Sequence, residues 1–439
     1  MPKKTEQSRK MDPEMHVLTR YIGIRHRVKM TKDGEVRPTE IAMITASSDP
    51  VVIELKSESD ELDFVNGRLP VKWRKPAPDE DLSDFAPHHI QRSKKTKEVT
   101  KVPAAYDGLR SGDIVAMMLG GSGDYLAYAM VRRCLDLEHS RVMRVPGYVM
   151  KEYRSEDKEH DSVHLARLAI ERPEVFYEVS PRDLQIIDVR LKFRARIDAM
   201  KDRIACEQRL LQASRGQMFC DASGLNPERT LEELYQELKA SDPILQAVAK
   251  DEHRRERELV KALEGLDVYQ KLFAPVKGMG PRIASRIICE IMDIRAYETE
   301  AKLKAKLGCH VLRGGKYADV PPEKQFPRRR RGQTANWSNE GRKALYLLAD
   351  QFNRRPDTKW GQTLLWYKAR FRAKHPEVVV VNGKKRYNDA HILKMAQWRT
   401  VTKFVEFLHR DWTRLVETGD LAAEKSYLIR ERPAASASA

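Results

Sequence analysis

Short apolar stretches separated by turn-forming residues dominate the first 180 residues. The stretches that predict strands cover 21–24, 40–44, 51–55, 113–119 and 140–145. Two stretches with apolar residues at helical spacing follow the last two of these strands, over 124–134 and about 157–171. Strands that alternate with helices are typical of an α/β domain. The pattern therefore predicts an α/β domain with a mixed sheet over residues 16–178.

Residues 56–105 interrupt this pattern. They contain several prolines and many charges, with an acidic part followed by a basic part. A long segment of this kind, without apolar periodicity of its own, is typical of a mobile or functional loop. We therefore predict an inserted mobile loop over 56–105 whose surface suits a protein partner. The polar ends of the chain, 1–15 and 429–439, predict disordered tails.

A long helical region is predicted over residues 179–266. It starts at Ser180 and Pro181, a capping residue followed by proline at the first helical position. Apolar residues then recur at spacings of three and four, interrupted at Glu207, and form the seam Phe193, Ile197, Met200, Ile204 and Leu211. Such a seam fits either a helical hairpin within one chain or a coiled coil between two chains. The second alternative predicts a homo-oligomer, a dimer or higher, held by the 179–266 helices.

The positive charge is concentrated in the last part of the chain. The sequence has 81 Lys and Arg against 64 Asp and Glu, a formal net charge of +17. Residues 271–439 hold 35 of the cations and 17 of the anions, so the first 270 residues are close to neutral. A basic region with interleaved aromatic residues is typical of a polyanion-binding surface, and a solvated basic face is the plainer alternative. We predict a helical, nucleic-acid-binding domain over 267–428, which also holds five of the six tryptophans: Trp337, Trp360, Trp366, Trp398 and Trp412.

Composition argues against several other classes of protein. Hydrophobic residues make up 41% of the sequence, which is enough for packed cores. No run of about 18 apolar residues is present, so no transmembrane helix is predicted. The polar first residues lack the apolar stretch of a secretory signal, and the five cysteines never form a CxxC pair. The expected location is the bacterial cytoplasm, at the nucleoid.

The segment 276–284, VKGMGPRIA, has the form of a helix-hairpin-helix motif. Gly278 and Gly280 permit a tight turn and leave backbone N–H groups free at the start of the next helix. The helix dipole favours a phosphate at that point. Arg282 and Arg286 are predicted to flank this phosphate, and such a contact carries no sequence information. The alternative is a plain Gly-Pro turn between two helices.

Further basic elements follow the hairpin motif. Four consecutive arginines repel one another unless an anion neutralises them, although such runs are also found as solvated faces. A Gly-Arg-Lys sequence follows shortly after this run, and a Lys-Lys-Arg patch lies further along the chain. The sequence therefore predicts nucleic-acid contacts from Arg328, Arg329, Arg330, Arg331, Arg342, Lys343, Lys384, Lys385 and Arg386.

The order of these parts resembles the DEDD-type transposases of bacterial insertion sequences, a family that includes the pilin-gene invertase and the bridge-RNA-guided recombinases. The better match covers about 268–412 and includes VKGMGPRIASRIICEIMDIRAYETEAKLKAKLG, RRRRGQTANWSNEGRKALYLLA and AHILKMAQWRTVTKFVEFLHRDW. A weaker match covers about 20–169 and includes GDIVAMMLGGSGDYLAYAM and EHDSVHLARLA. The resemblance implies an α/β plus all-α architecture: a RuvC-like (ribonuclease-H-like) N-terminal domain, a coiled-coil linker and a helical C-terminal domain with a helix-hairpin-helix.

The resemblance also implies a catalytic site. In that family, four carboxylates of the N-terminal domain hold two divalent metal ions, and the C-terminal domain supplies a serine nucleophile. Carried over to this sequence, the first acid position falls on Arg25 and the second on Gly120. The closing pair falls on Asp161 and His164, the candidate catalytic and metal-binding residues. Ser338 is the nearest candidate for the nucleophile.

Three functions are consistent with these patterns. The first is a transposase-derived protein that binds DNA, with a structured RNA partner, and has lost recombination chemistry, as Arg25 and Gly120 suggest. The second is an active, divergent recombinase with Mg²⁺ as its cofactor, in which unaligned acids such as Asp33, Asp113 or Asp124 complete the site. The third is a helix-hairpin-helix protein of DNA repair or DNA architecture.

Overall fold

The computed structural model describes residues 19–28, 36–45, 49–93, 95–119, 123–154, 160–220, 230–312, 327, 337–381 and 384–419. Asp33, Gly120, the arginine run 328–331 and both chain ends lie outside the described residues. The chain divides into two compact units, Met1–Ser180 and Pro181–Ala439.

The first unit contains two β-sheets and four helices among its described residues. In chain order its elements are β1 (Arg20–Arg25), β2 (Thr39–Thr45), β3 (Val51–Leu55), α1 (Glu58–Val65), β4 (Leu69–Arg74), β5 (Gln91–Arg92), β6 (Val99–Asp107), β7 (Asp113–Leu119), α2 (Asp124–Cys134), β8 (Arg141–Pro146), α3 (Gly147–Tyr153), α4 (Asp161–Glu171) and β9 (Tyr177–Glu178). The larger sheet has the strand order β3-β2-β1-β7-β8-β9. Strands β1, β2 and β3 are antiparallel neighbours, β7 and β8 run parallel to β1, and β9 is antiparallel to β8. The predicted α/β unit with a mixed sheet is confirmed.

Helix α4 packs directly on β1. On this strand Ile22 and Ile24 are buried. Between them, a Cβ at Gly23 would lie only 1.9 Å from the carbonyl oxygen of Ser162. Glycine is therefore required at this position for the helix to approach the sheet so closely. This approach places the first turn of α4 over the end of β1 where a catalytic acid was expected.

The prediction of a mobile loop over 56–105 is wrong. This segment folds into α1 and a second, three-stranded sheet of order β4-β6-β5. A capping box of Ser57 and Asp60 fixes the start of α1, and Phe64, Val65 and Val102 are buried. The sequence did not show this fold because most side chains of β4 are exposed, so that strand lacks the alternation that marks a half-buried strand.

The second unit is mostly helical. Its elements are α5 (Pro181–Phe219), α6 (Leu231–Ser241), α7 (Pro243–Glu264), α8 (Pro281–Ile291), α9 (Glu300–Lys306), α10 (Asn339–Asn353), α11 (Lys359–Lys374), the hairpin β10 (Val379–Val381) and β11 (Lys384–Arg386), and α12 (Asp389–Thr418). One large core joins α5 and α7 to α12, and it includes several aromatic side chains. Trp360 stacks on Phe352 with ring centroids 5.8 Å apart, and Trp412 meets Phe273 edge-on at 5.9 Å. Two of the tryptophans predicted to mark a polyanion surface are therefore buried core residues.

Helix α5 packs along α7 of the same chain. Of the two alternatives for this region, the structure shows the helical hairpin within one chain. Phe193 is buried in the seam as predicted, but Ile204 is 42% exposed, and that part of the prediction is wrong. Charged residues occupy the contact instead: Glu252 of α7 accepts hydrogen bonds from Arg196 at 3.0 Å and from Arg203 at 2.6 Å. A count of apolar spacings does not detect such a seam, because its buried charges are matched across the helices. Association of two chains remains a prediction.

Among the described residues, no helix combines the length and the apolar character needed to cross a membrane.

Candidate metal centre and nucleic-acid interface

Asp161 lies at the first position of α4, buried and in contact with an arginine. Its side chain is 6% exposed. Nη1 of Arg154, just after α3, lies 2.6 Å from one carboxylate oxygen and 2.5 Å from the other. A buried carboxylate needs a counter-charge, and here the protein supplies that charge itself.

The other two buried aspartates of the first unit's described residues are paired in the same way. Asp113, at the start of β7, receives two hydrogen bonds from Arg20, at 2.9 and 2.8 Å. Asp124, at the start of α2, receives one from Arg144 at 2.7 Å. Each acid that was considered as an unaligned metal ligand within the described residues therefore has its own arginine.

The end of β1 carries basic residues that bind carboxylates. Nη2 of Arg25 lies 2.9 Å from Oε2 of Glu40, directly across the β1–β2 ladder. Glu40 also accepts a hydrogen bond from the hydroxyl of Ser162 on α4. Beside this group, burial lowers the pKa of His26, and the carboxylate of Glu61 opposes the shift. The expected position of the first acid is therefore occupied by a cation in a hydrogen-bonded network.

The described residues at this place do not fit a pair of divalent metal ions. His164, the predicted partner of Asp161, lies edge-on to the ring of Tyr153 at a centroid distance of 6.2 Å. In the part of the chain that the structure describes, neither Asp161 nor His164 belongs to a group of three donor side chains close enough to share an ion. Two metal ions need several uncompensated acidic oxygens, whereas arginines hold the oxygens seen here.

Ser338 caps the N-terminus of α10. Its hydroxyl oxygen accepts the N–H of Gly341 at 2.8 Å, and the hydroxyl donates to Oε2 of Glu290 at 2.6 Å. This is the hydrogen-bonding pattern of a helix N-cap. The candidate nucleophile therefore has a structural role in this unit.

The glycine turn of the second unit connects a short helical segment, Tyr269–Phe273, to α8. Gly278 has φ +92°, a conformation that favours glycine, and a Cβ there would lie 3.0 Å from the side chain of Gln351. Gly280 is the N-cap residue of α8, and no side chain caps the helix. A Cβ at Gly280 would have no atom within 4 Å. The N-terminus of α8 is therefore open to an anionic ligand.

The two arginines predicted to flank this turn differ in position. Arg282 is at the surface, with its side chain 62% exposed, and makes two hydrogen bonds of 2.6 Å to Glu256 of α7. This pairing lowers the pKa of Glu256. Arg286 is buried, with Nη1 2.9 Å from Oε2 of Glu340 and its guanidinium 5.8 Å from the ring centroid of Phe193. Only Arg282 is therefore placed to reach a ligand at the turn.

The two cations of the Gly-Arg-Lys sequence at the start of α10 also differ: Arg342 is part of the packing and Lys343 is exposed. The guanidinium of Arg342 lies between two indole rings, 4.7 Å from the centroid of Trp337 and 5.0 Å from that of Trp398. It also donates to the carbonyl of Pro327. Lys343, one residue further on, is exposed. Lys343 is therefore more accessible to a ligand than Arg342 is.

The remaining predicted contacts lie in β11 or outside the described residues. Lys385 is exposed and Arg386 is half-buried, and the side chain of Lys384 is not among those described. The run from Arg328 to Arg331 is likewise outside the described residues.

The residues that sequence reasoning missed are the partners of the predicted ones. Arg154 precedes Asp161 by seven residues, and Arg144 follows Asp124 by twenty. Arg20 is 93 residues from Asp113, and Glu256 is 26 from Arg282. No fixed spacing marks such pairs, because the fold brings them together.

The chain matches no protein-family model and no curated protein. The resemblance to the DEDD-type transposases therefore rests on the motifs quoted above.

Proposed function

We propose that this protein is a transposase-derived nucleic-acid-binding protein that has lost metal-dependent strand cleavage. The ion pair between Arg154 and Asp161 is the observation that carries the proposal. It neutralises the one acid that the family resemblance retains. Among the described residues, each acid considered for this site is paired with an arginine, so little carboxylate charge is left to attract Mg²⁺.

A RuvC-like identity of the first unit is part of this proposal. Its support is the arrangement of the larger sheet, in which three antiparallel strands are followed by two strands parallel to the first. A mixed sheet with helices is consistent with the ribonuclease-H-like domain that the family resemblance implies. The contact of α4 with β1 at Gly23 places the closing helix over the strand end where such folds carry their acids.

A helix-hairpin-helix in the second unit is the proposed contact to the nucleic-acid backbone. Its support is the uncapped, open start of α8 at Gly280 together with exposed Lys277 and Arg282. Free N–H groups and the helix dipole favour a phosphate there. The net surplus of 18 positive charges in residues 271–439 adds attraction that does not depend on sequence.

Substitution of Gly280 by aspartate tests this contact. Aspartate is a favourable N-cap residue and has room here, so Gly280→Asp should keep or raise the stability of the second unit. It also places a negative charge where the phosphate would bind. We expect the affinity for a labelled DNA duplex, measured by fluorescence anisotropy, to fall about 10-fold, equivalent to about 1.4 kcal/mol.

Gly147→Asp is the matched control. Gly147 is exposed, is the first residue of α3 in the other unit and also has no atom within 4 Å of a Cβ. This variant adds the same charge at another helix start and should bind DNA like the wild type. Equal affinities for Gly280→Asp and the wild type would overturn the hairpin contact.

The structured RNA partner is proposed from the family resemblance together with the basic charge of the second unit. Purification of the chain from its native host, followed by sequencing of the nucleic acid that remains bound, tests it. A single structured RNA of defined length supports a guided ancestry. Random genomic DNA alone, released at moderate salt, would favour an architectural DNA-binding protein instead.

A further inference from the structure

The segment 56–105 contains a compact group of three side chains with metal-ligand chemistry. Asp63 lies on α1, and His88 and His89 lie in the helical turn Pro87–His89. Nε2 of His88 is 2.9 Å from Oδ2 of Asp63, and Nε2 of His89 is 2.7 Å from the same oxygen. All three donor atoms lie within 4.8 Å of one another.

The surroundings of this group hold two donors firmly and leave one accessible. The side chains of Asp63 and His89 are 14% and 5% exposed, whereas that of His88 is 51% exposed. The ring of His89 also packs against Tyr106 of β6, at a centroid distance of 5.7 Å. An ion arriving from solvent therefore meets a preformed pair of largely buried donors and one exposed imidazole at the surface.

We propose that Asp63, His88 and His89 form a binding site for a divalent transition-metal ion of the Zn²⁺ type. Imidazole nitrogens suit Zn²⁺, whereas Mg²⁺ and Ca²⁺ prefer sites built wholly from oxygen. Tetrahedral Zn²⁺ with bonds of about 2.0–2.2 Å holds its donor atoms about 3.3 Å apart. The two distances from Oδ2 need to open by only about half an ångström to admit the ion. With three protein ligands, the fourth position is left to water or to a partner's side chain.

The fold indicates what this ion does. The turn that carries both histidines lies between β4 and β5, and Asp63 is on the helix that precedes them both. The ion therefore joins two parts of the chain that are 25 residues apart and fixes the turn against α1. Few apolar side chains are buried in this segment, so the bound ion provides stability that a larger hydrophobic core would otherwise supply.

Isothermal titration of the untagged, EDTA-treated and dialysed full chain with ZnCl₂ tests the site directly. The chain carries Cys220→Ser in every sample, because Cys220 is an exposed thiol that would bind zinc by itself. We expect one ion per chain. His88→Ala should weaken binding more than about 100-fold, beyond the usual effect of losing a residue outside the ligand set. Substituting MgCl₂ should give no saturable binding.

His253→Ala is the matched control, since His253 is an exposed histidine on α7 of the other unit. It should bind zinc like the parent chain. His88 is half-exposed, so its loss should leave the circular dichroism spectrum unchanged, and Co²⁺ in place of Zn²⁺ should give the intense visible absorption of a tetrahedral site. Absence of a one-to-one ion, or equal zinc affinity in His88→Ala and the parent chain, would overturn the proposal.

A second measurement tests the role of the ion. Trypsin cleavage after the exposed residues Arg92 and Lys97 should slow severalfold when zinc is added to the parent chain, and should not change in His88→Ala. Equal protection of both chains would show that zinc acts elsewhere.

Discussion

Arg154 and the buried Asp161 form an ion pair in which one guanidinium nitrogen contacts both carboxylate oxygens, at 2.6 and 2.5 Å. The pair lies where α4 begins, above the end of β1. In a two-metal site, the carboxylates repel one another until the ions arrive. Here the carboxylate is already neutralised, which makes the site a stabilising part of the first unit.

The change in stability caused by Asp161→Asn has opposite signs in an ion pair and in a vacant metal site. Asp161→Asn leaves Arg154 without its counter-charge, so we expect a loss of about 3 kcal/mol in the free energy of unfolding, measured in denaturant without metal. In a vacant metal site, the same substitution would relieve repulsion and raise stability. Recovery of most of the loss in the double variant Arg154→Met/Asp161→Leu would identify the pair itself as the cause. A stabilised Asp161→Asn chain that also loses Mn²⁺ affinity would contradict the account.

Glu256 should control both the pH dependence of stability and access to the hairpin. Hydrogen bonds from Arg282 lower the pKa of Glu256 from its ordinary 4.5, so the pair stabilises the folded chain above that pH and loses its effect as pH falls through the folded pKa. The difference in unfolding free energy between the wild type and Glu256→Gln should therefore be about 0.5–1 kcal/mol near pH 7 and shrink in acid. A difference that is constant from pH 7 to below pH 4 would show that the pair is not the cause.

The same Glu256→Gln variant frees Arg282 to meet a phosphate. We expect tighter binding to a DNA duplex and a salt slope steeper by about one unit, as for one added phosphate contact. The control is Glu258→Gln, two residues along α7, whose carboxylate pairs with Arg254 at 2.7 Å. Equal affinities of both variants would place the DNA away from Arg282.

Arg342 and Lys343 should have different effects although they are neighbours. Loss of Arg342 removes the cation between Trp337 and Trp398, so Arg342→Gln should lower stability by about 1–2 kcal/mol and change the tryptophan fluorescence. Lys343→Gln should leave stability within about 0.5 kcal/mol, because the residue is exposed, and should lower DNA affinity. A reversed pattern in parallel melts and binding titrations would refute these roles.

The oligomer predicted from the α5 seam can be tested by light scattering. Because α7 covers one face of α5 within the chain, the predicted dimer has to form through the exposed side of α5, where Ile204 is 42% exposed. We expect a dimer at micromolar concentration that dissociates in Ile204→Asp, and a monomeric wild type would refute this prediction.

Much of the fold follows from local patterns. The strands β1, β2, β3, β7 and β8, the helices α2 and α4 and the start of α5 lie where alternation, helical spacing and capping residues predicted them. The exceptions share one physical cause. The segment 56–105 and the α5 seam are stabilised by polar contacts, such as the capping box at Ser57 and the pairing of Arg196 with Glu252, which an apolar pattern does not show.

The candidate sites were predicted less completely for a related reason. The sequence identified Asp161 and Gly280 but not the residues around them. Arg154 reaches Asp161 only in the folded chain, and Glu256, which binds Arg282 near Gly280, lies on another helix. The adjacent histidines His88 and His89 were visible in the sequence, yet their shared contact with Asp63 exists only once α1 has folded.

The proposed function is binding of nucleic acid without cutting it. To test it, the purified chain is incubated with supercoiled plasmid in Mg²⁺ or Mn²⁺, and retardation and nicking are followed in the same gel. We predict retardation that weakens with salt and no nicking with either ion. Metal-dependent nicking that disappears in Asp161→Asn would contradict the account.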